Sequence, residues 1–312
     1  MMREIGNAGR RVVAFGGGHG LYATLSALRI LTRNITAIVT VADDGGSSGR
    51  LRQEMDILPP GDLRMALSAL CDDSSWGLTW RDVLQHRFTT SGEMNGHSLG
   101  NLLIAAIWQE MGDSVRGLDL VGQLLSTHGR VLPMSAVPLQ LTAQVERNGV
   151  VENIHGQSVI AKLGKSISKV ALDPANPPAR PEALRAIDEA DWIVFGPGSW
   201  YTSVIPHLLV PDLQSAVSRT PARRMLVVNL VPDLETRAMS SADLVRSFHE
   251  YAPQIDLDVV LVDPSVVGNR EELHEAARLC GARVLEWSVK RDVARHDPLT
   301  LAAAFREAFE TI

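Results

Sequence analysis

The sequence has few of the features that mark secreted or membrane proteins. Its 312 residues include two cysteines, Cys71 and Cys280, which are too few and too far apart for a disulfide framework. No stretch approaches the roughly 18 apolar residues of a membrane helix, and no apolar run follows the amino-terminal charge as in a signal peptide. These absences predict a cytoplasmic protein without a membrane span.

A strong charge of either sign is also missing. The formal net charge is −6, and hydrophobic and charged residues make up 45% and 21% of the chain, as in ordinary globular proteins. Such a chain has no general attraction to nucleic acid or acidic membranes, so we expect neither as a partner. Arg50, Arg52 and Arg64 are the candidate for a local basic patch.

The motifs of several enzyme classes are absent as well. The nine histidines show no pair at zinc-binding spacing on a helix. Neither a phosphate-loop lysine motif nor a Gly-x-Ser-x-Gly nucleophile motif occurs. The sequence therefore predicts no metal-ligand set and gives no support for a P-loop enzyme or a serine hydrolase.

What the sequence does contain is an alternation of short apolar strands with helical segments. Strands are predicted at 11–15, 35–41, 192–195, 225–230, 259–262 and 284–287. Helical spacing follows the first strand, and further helices are predicted at 203–219, 242–251 and 271–279. This rhythm predicts an α/β fold, namely a Rossmann-like, doubly wound, mainly parallel sheet.

Two segments depart from the rhythm. Between residues 62 and 128 helices are predicted at 63–70, 80–87, 99–111 and 114–125, which indicates a helical insertion beside the sheet. Alternating residues at 139–146 run into Asn148-Gly149 and predict a β-hairpin. Because no Pro/Ser-rich linker isolates the insertion, we expect one domain over residues 1–312.

The first strand ends in a glycine-rich loop, residues 16–20, that leads into a helix. Glycine lets the backbone approach a phosphate, and the helix N terminus offers free N–H groups and the positive end of its dipole. A dinucleotide fingerprint needs a third glycine at the sixth place, where this chain has Leu21. The loop predicts a nucleotide site that departs from the NAD pattern, and a tight turn without ligand is the alternative.

An acidic loop, residues 42–49, follows the second strand. Asp43 and Asp44 lie where related folds place an acid against a ribose hydroxyl, and binding of ribose or sugar hydroxyls is the favoured interpretation. Two adjacent carboxylates also suit Mg²⁺ beside phosphates, and a turn that caps the next helix is a third interpretation. Asp62, downstream, is the expected N-cap of a helix.

A third loop, residues 195–203, repeats the design of the first. Ser199 and Thr202 follow its glycines at a predicted helix start, where they either bond phosphate oxygens or cap the helix. His97 precedes another helix and is interpreted as a cap or a structural hydrogen-bonding group rather than as an acid or base. Arg295 follows the last strand and could clamp a diphosphate.

Together these motifs resemble those of the YvcK proteins, the gluconeogenesis factors of bacteria. The matching motifs are FGGGHGL from Phe15, VTVADDGGSSGRLR from Val39, PPGD from Pro59, GHSLGNL from Gly96, GPGSWYTS from Gly196 and RHDP from Arg295. They cover essentially the whole chain in order. A wider similarity links this group to CofD, a phospholactate transferase with a Rossmann-like fold.

The resemblance implies a cytoplasmic regulatory protein that binds a nucleotide sugar, UDP-N-acetylglucosamine, and requires no cofactor. It implies a role in cell shape and cell-wall synthesis, notably on gluconeogenic carbon, and a protein partner in wall-precursor synthesis. A homodimer and a bound Mg²⁺ ion stay open.

The resemblance also implies which residues bind the ligand. The glycine loops would face the diphosphate, Asp43 and Asp44 the nucleoside or sugar hydroxyls, and Arg295 the anionic region. His19 is a departure, because many family members have threonine there. The implied binding residues are Gly16, Gly17, Gly18, His19, Gly20, Asp43, Asp44, Gly45, Gly46, Ser47, Asp62, Asn101, Gly196, Gly198, Ser199, Tyr201, Thr202, Asn229 and Arg295.

Two enzyme functions remain as alternatives, although the resemblance favours a binding protein over an enzyme. A CofD-like transferase would use Asp43, Asp44 and Asp62 to bind Mg²⁺ or to activate an acceptor hydroxyl. An NAD-dependent oxidoreductase is supported by the strand–helix–strand unit and its acid, but Leu21 at the sixth fingerprint place counts against it.

Overall fold

The structure, a computed structural model, describes residues 9–147, 150–163, 167–292 and 294–312. The strands are β1 Val12–Gly16, β2 Ile35–Val39, β3 Arg130–Pro133, β4 Gln140–Arg147, β5 Val150–His155, β6 Ile167–Asp173, β7 Trp192–Phe195, β8 Arg223–Val227, β9 Val259–Val262 and β10 Arg283–Glu286. The helices are α1 Gly18–Leu31, α2 Gly46–Met55, α3 Pro60–Leu70, α4 Ser75–Gln85, α5 Leu99–Met111, α6 Ser114–Leu124, α7 Gln157–Ile160, α8 Pro181–Asp188, α9 Ile205–Leu208, α10 Pro211–Arg219, α11 Ser241–Tyr251, α12 Arg270–Leu279 and α13 Pro298–Thr311.

Seven of the strands form one parallel sheet in the order β10-β9-β8-β7-β1-β2-β3. The central strand β1 pairs with β2 and β7, so that Phe15 lies in register with Ile38 and Phe195. Every residue of β1, β7 and β9 is buried, because helices cover a parallel sheet on both faces. The predicted Rossmann-like α/β fold is confirmed.

The strand order reverses at the centre of this sheet. The chain runs outward from β1 to β3 in one direction and from β7 to β10 in the other, so β1 and β7 are neighbours. At such a reversal the loops after the two strands diverge and leave a crevice at the carboxyl edge. The two glycine-rich loops, 16–20 and 195–203, are the loops at this point.

The remaining strands form a separate antiparallel sheet in the order β5-β4-β6. The predicted hairpin is β4–β5, in which Arg147 lies opposite Val150; its Asn148-Gly149 turn falls outside the described residues. Helix α7 follows β5, and its first residues, Gln157 and Ser158, contact the loops at the carboxyl edge of the large sheet.

Some local predictions were wrong. The segment 203–219 is not one helix but a π-helical turn, Trp200–Val204, followed by α9 and α10. Pro206 and Pro211 lie in the first turns of α9 and α10, where the missing N–H is tolerated, whereas each would interrupt a continuous helix. Strands β3 and β6 and helices α2, α7 and α8 were not predicted.

Among the described residues, no helix has the length and apolar character needed to cross a bilayer.

Candidate functional site

The loop after β1 brings the N terminus of α1 to the strand reversal. Gly18 has φ +56°, a left-handed conformation that favours glycine. Gly20 lies against the neighbouring loop: a Cβ there would collide with the carbonyl oxygen of Pro197 and lie 2.6 Å from the Cα atom of Gly198. The two glycine-rich loops are therefore in direct backbone contact.

The loop after β7 is held by side chains from two other elements. The amide of Asn229 clamps Gly198, accepting from its N–H at 2.9 Å and donating to its carbonyl at 2.8 Å. The hydroxyl of Thr24, in α1, donates to the carbonyl of Gly196 at 2.8 Å. Asn229 follows β8, the neighbour of β7 on the side opposite β1, so its amide holds this loop from the adjacent strand end.

A buried glutamate that the sequence did not single out anchors the π-helical turn. Glu235 is 3% exposed, and its carboxylate accepts from the Tyr201 N–H at 2.9 Å and from the Thr202 hydroxyl at 2.5 Å. Burial is the main cause that raises the pKa of Glu235 to about 7. Glu235 lies more than thirty residues along the sequence from this loop, so an analysis of local motifs cannot identify it.

The two aspartates of the acidic loop after β2 have different hydrogen-bond partners. One carboxylate oxygen of Asp43 accepts from the N–H of Gly45 at 2.9 Å, and burial raises the pKa of Asp43. Asp44 accepts from the N–H of Ser158 at 2.8 Å and so ties this loop to α7. Asp43 faces the crevice, whereas Asp44 holds a second element against it.

The expectation that Asp62 is a helix N-cap was wrong, because α3 begins earlier, with Pro59 as its N-cap, and Asp62 lies inside the first turn. Its side chain lies against the N terminus of α1. A Cβ on Gly17 would lie 2.5 Å from its carboxylate, and the nearby backbone N–H of Gly18 acts to lower its pKa. Burial and the nearby Asp43 raise the pKa of Asp62 to about 7. A carboxylate thus occupies part of the helix N terminus to which a phosphate would bind.

The start of α2 is fixed by a buried polar network. The hydroxyl of Ser47 bonds Nδ1 of His97 at 3.0 Å and accepts from Asn101 at 3.1 Å. Ser48 accepts from the N–H of Gly61 at 3.0 Å. The predicted structural hydrogen bond of His97 is present, and Asn101, 1% exposed, serves this network.

Three adjoining cavities run along the carboxyl edge. The Arg295 cavity, about 400 Å³, shares His19, Gly20 and Ser199 with the central cavity, about 280 Å³. The central cavity in turn shares Asp43 and Asp62 with the Arg64 cavity, about 220 Å³. Together they form one groove across the strand reversal.

Most of the implied binding residues line this groove. Those in its walls are Gly17, Gly18, His19, Gly20, Asp43, Gly45, Gly46, Ser47, Asp62, Asn101, Gly198, Ser199, Thr202, Asn229 and Arg295. Gly16, Asp44, Gly196 and Tyr201 lie outside these three linings. Their contacts are with the protein: Tyr201, for example, is 7% exposed and its hydroxyl bonds the sulfur of Met239.

The groove also contains residues that the motifs did not indicate. Gln157 and Ser158 of α7 line the central cavity, and Arg87 lines the Arg64 cavity. Of the candidate basic patch, Arg64 is buried in the site, while Arg50 and Arg52 bond backbone carbonyls elsewhere. The three arginines form no shared surface, because each is used by a different part of the fold.

The metal-binding capacity of the site lies in two carboxylates. Asp43 and Asp62 both line the central cavity and offer the oxygen ligands that Mg²⁺ prefers. Over the ranges that the structure describes, no three His, Cys, Asp or Glu side chains group as metal ligands. A cation here would need ligand or water oxygens to complete its coordination.

The chain is similar to proteins of known family over nearly its whole length. The model of the family described as "2-phospho-L-lactate transferase CofD" matches residues 12–298. The "Putative gluconeogenesis factor" of Mycobacterium tuberculosis is 48% identical, over 94% of this chain and 88% of that protein. The "Gluconeogenesis factor" of Bacillus subtilis is 37% identical, over 94% and 96% of the two chains.

A solved structure agrees with these matches. The crystal structure of a UPF0052-family protein from Bacillus halodurans superimposes with a TM-score of 0.87 at 35% identity, covering 96% of this chain and all of that one. The chain therefore belongs to the CofD family, among the relatives named gluconeogenesis factors, as its motifs predicted.

Proposed function

We propose that this protein is a cytoplasmic nucleotide-sugar-binding regulator whose ligand is UDP-N-acetylglucosamine. The observation that carries the proposal is the contact of two glycine-rich strand-to-helix loops at the strand reversal, in one continuous groove. This is the position at which open α/β sheets bind nucleotides.

The chemistry of the groove changes along its length in the order that a nucleotide sugar requires. The Arg295 cavity has apolar walls that include Tyr22, Pro197 and Leu230, which suit a base and ribose. The central cavity offers glycine backbone to a diphosphate, and Asp43 beyond it can accept from sugar hydroxyls. Arg295, 79% exposed and paired with Asp292 at 2.8 Å, is free to turn toward a bound anion.

The names of the relatives support the link of the proposal to gluconeogenic growth. As a gluconeogenesis factor, the protein would report the supply of a wall precursor to a protein partner in its synthesis, and so affect cell shape on gluconeogenic carbon. Such a sensor needs two states of different ligand affinity, because the ligand shifts their equilibrium by no more than that difference.

Calorimetry tests the ligand. UDP-N-acetylglucosamine, UDP-glucose, GDP and NAD are titrated in parallel, and binding confined to the UDP-sugars is expected. Arg295→Ala should weaken that binding, whereas Arg306→Ala, an exposed arginine of α13, is the matched control. Binding of GDP or NAD in preference to the UDP-sugars would contradict the proposed ligand.

A CofD-like, Mg²⁺-dependent transferase is the second candidate, favoured by the convergence of Asp43 and Asp62 on the central cavity. The acceptor hydroxyl oxygen would bond the phosphorus of the transferred group as that phosphorus loses its bridging oxygen to the departing nucleotide. Asp62, whose pKa is raised to about 7, could take the hydroxyl proton at neutral pH. In the other role open to Asp62, it and Asp43 would hold Mg²⁺ instead, and the ion would neutralise diphosphate charge.

Product analysis separates the two candidates. The protein is incubated with a nucleoside-diphosphate-linked phospho-donor, an acceptor alcohol and Mg²⁺, and released nucleotide is measured. Release that stops in Asp62→Asn would favour the transferase. Tight binding of UDP-sugars without any product over long incubation would favour the regulator.

A further inference from the structure

The Arg64 cavity contains two guanidinium groups whose bonds go to neutral oxygens. Arg64 is 3% exposed, and its guanidinium donates to the side-chain carbonyls of Asn101, at 2.9 Å, and Gln85. Arg87 donates to the backbone carbonyl of Gly96 at 2.9 Å. Over the described ranges of the chain, neither guanidinium comes within 4.0 Å of a carboxylate oxygen.

The arrangement is unfavourable without a further partner. A charge buried without an opposite charge is costly, and Arg64 and Arg87 repel each other. Burial and this repulsion lower the pKa of Arg64 to about 10, so the group remains charged at neutral pH. The side chain is nevertheless built into the network of Asn101, Ser47 and Ser48, which fixes its position.

The carboxylates of the cavity attract the Arg64 charge, which raises the pKa of Arg64, but within the described ranges they form no ion pair with it at 4.0 Å or less. Asp43 and Asp62 line both the Arg64 cavity and the central cavity, so they lie at the junction of the two. Arg64 and Arg87 line the Arg64 cavity and not the central one. The two guanidinium groups therefore lie beyond the carboxylates, at the end of the groove that is remote from the glycine loops.

We propose that the Arg64 cavity is an anion subsite that binds a carboxylate or phosphate group. A planar guanidinium donates paired hydrogen bonds to either group, and the pair of arginines offers two such donors. The anion comes from one of two sources. It is an acidic substituent on the sugar of the nucleotide sugar in the groove, which rests on the proposed function, or it is a separate small acid bound beside that ligand.

Matched probes test the subsite. UDP-glucuronate and UDP-glucose differ in a carboxylate, and inorganic phosphate represents a separate acid. Each is titrated into the wild-type protein, Arg87→Gln and Arg64→Gln, and unfolding temperatures are measured with and without phosphate. Arg81→Gln is the control, because Arg81 lies on α4, pairs with Asp82 and does not line the cavity.

A subsite for the sugar substituent predicts that the wild type binds UDP-glucuronate about tenfold more tightly than UDP-glucose, the gain of one charge-assisted pair. Arg87→Gln should abolish that preference and Arg81→Gln should keep it. A subsite for a separate acid predicts equal binding of the two sugars and a phosphate-dependent rise in unfolding temperature that Arg87→Gln loses. Because Arg87 is exposed, this variant is informative even if Arg64→Gln fails to fold.

The proposal is overturned if the wild type shows no preference for UDP-glucuronate and phosphate stabilises it and Arg87→Gln equally. Failure of the proposed function gives a different result. In that case no UDP-sugar binds, while the phosphate response still depends on Arg87.

Discussion

The two edges of the parallel sheet both carry a cavity lined by arginines, but they use the arginine charge in opposite ways. At the amino edge, in a cavity of about 380 Å³, Arg11 pairs with Asp191 at 3.4 Å and Arg185 with Glu182 at 3.7 Å. Arg130 makes a two-bond pair with Asp119, at 2.8 and 2.7 Å. At the carboxyl edge, Arg64 and Arg87 bond neutral oxygens.

This difference in pairing, and not the number of arginines, is the reason that we propose an anion subsite at the carboxyl edge and not at the amino edge. At the amino edge, the side chains of Arg11 and Arg185 are more than half exposed. Water and their carboxylate partners therefore already stabilise these charges. Arg64 is buried, and its guanidinium donates to the side-chain carbonyls of Asn101 and Gln85 rather than to a carboxylate.

Gly20→Ala should disrupt the carboxyl edge most strongly. Its Cβ would collide with the carbonyl oxygen of Pro197, and neither backbone can move without displacing a glycine loop. We expect a loss of about 3 kcal/mol in unfolding free energy, as for severe overpacking, together with weakened UDP-sugar binding. Chemical denaturation and calorimetry measure both. Gly268→Ala, where an added Cβ meets no atom within 4 Å, is the control, and equal stability of the two variants would show that the loops are not in tight contact.

The sequence predicted most of the large sheet, since continuous apolar runs such as β7 and β9 are typical of parallel strands buried on both faces. It did not predict α2, whose Gly-Ser-Ser-Gly start has low helix propensity. That helix is held by tertiary bonds from Gly61 and Asn101, which local pattern cannot reveal.

The candidate site likewise contains residues with a local sequence signal and residues that only the tertiary structure brings there. The glycine loops and Asp43 were recognisable because their chemistry is local to one strand end. Glu235 and Arg87 were not, since each reaches the site from a distant part of the chain. Arg64 was noticed only as part of a surface patch, because burial cannot be read from charge spacing.

Glu235→Gln should remove a pH dependence of stability that originates at the carboxyl edge. A carboxyl whose folded pKa is raised to about 7 contributes stability that is complete below its ordinary pKa and is lost as pH rises through about 7. The loss should be on the order of 2 kcal/mol between pH 5.5 and 8.5. Denaturation midpoints across that range should fall for the wild type and for the exposed control Glu250→Gln, and fall less for Glu235→Gln. Identical slopes for all three proteins would exclude Glu235 as the source.

Asp62→Asn should alter how the groove accepts a diphosphate. The variant keeps an oxygen for the Gly18 N–H but removes a negative charge from the N terminus of α1. In metal-free buffer above pH 8, where a carboxyl with a pKa of about 7 is ionised, UDP-sugar affinity should rise about tenfold, and the effect of added Mg²⁺ should shrink. Calorimetry with EDTA or Mg²⁺ gives both values, with Asp56→Asn at the exposed end of α2 as control. Weaker binding under both conditions would instead identify Asp62 as a direct ligand contact.

Arg130→Gln should have the smallest effect, because it removes a charge that is already paired. The pair with Asp119 is partly exposed, so its loss should cost less than about 1 kcal/mol of unfolding free energy. The phosphate response and UDP-sugar affinity should match those of the wild type, since the amino-edge arginines that the structure describes are either paired with a carboxylate or exposed. If Arg130→Gln reduced the phosphate response as Arg87→Gln does, paired arginines would bind anions equally well. The contrast between the two edges would then rest on cavity shape rather than on charge pairing.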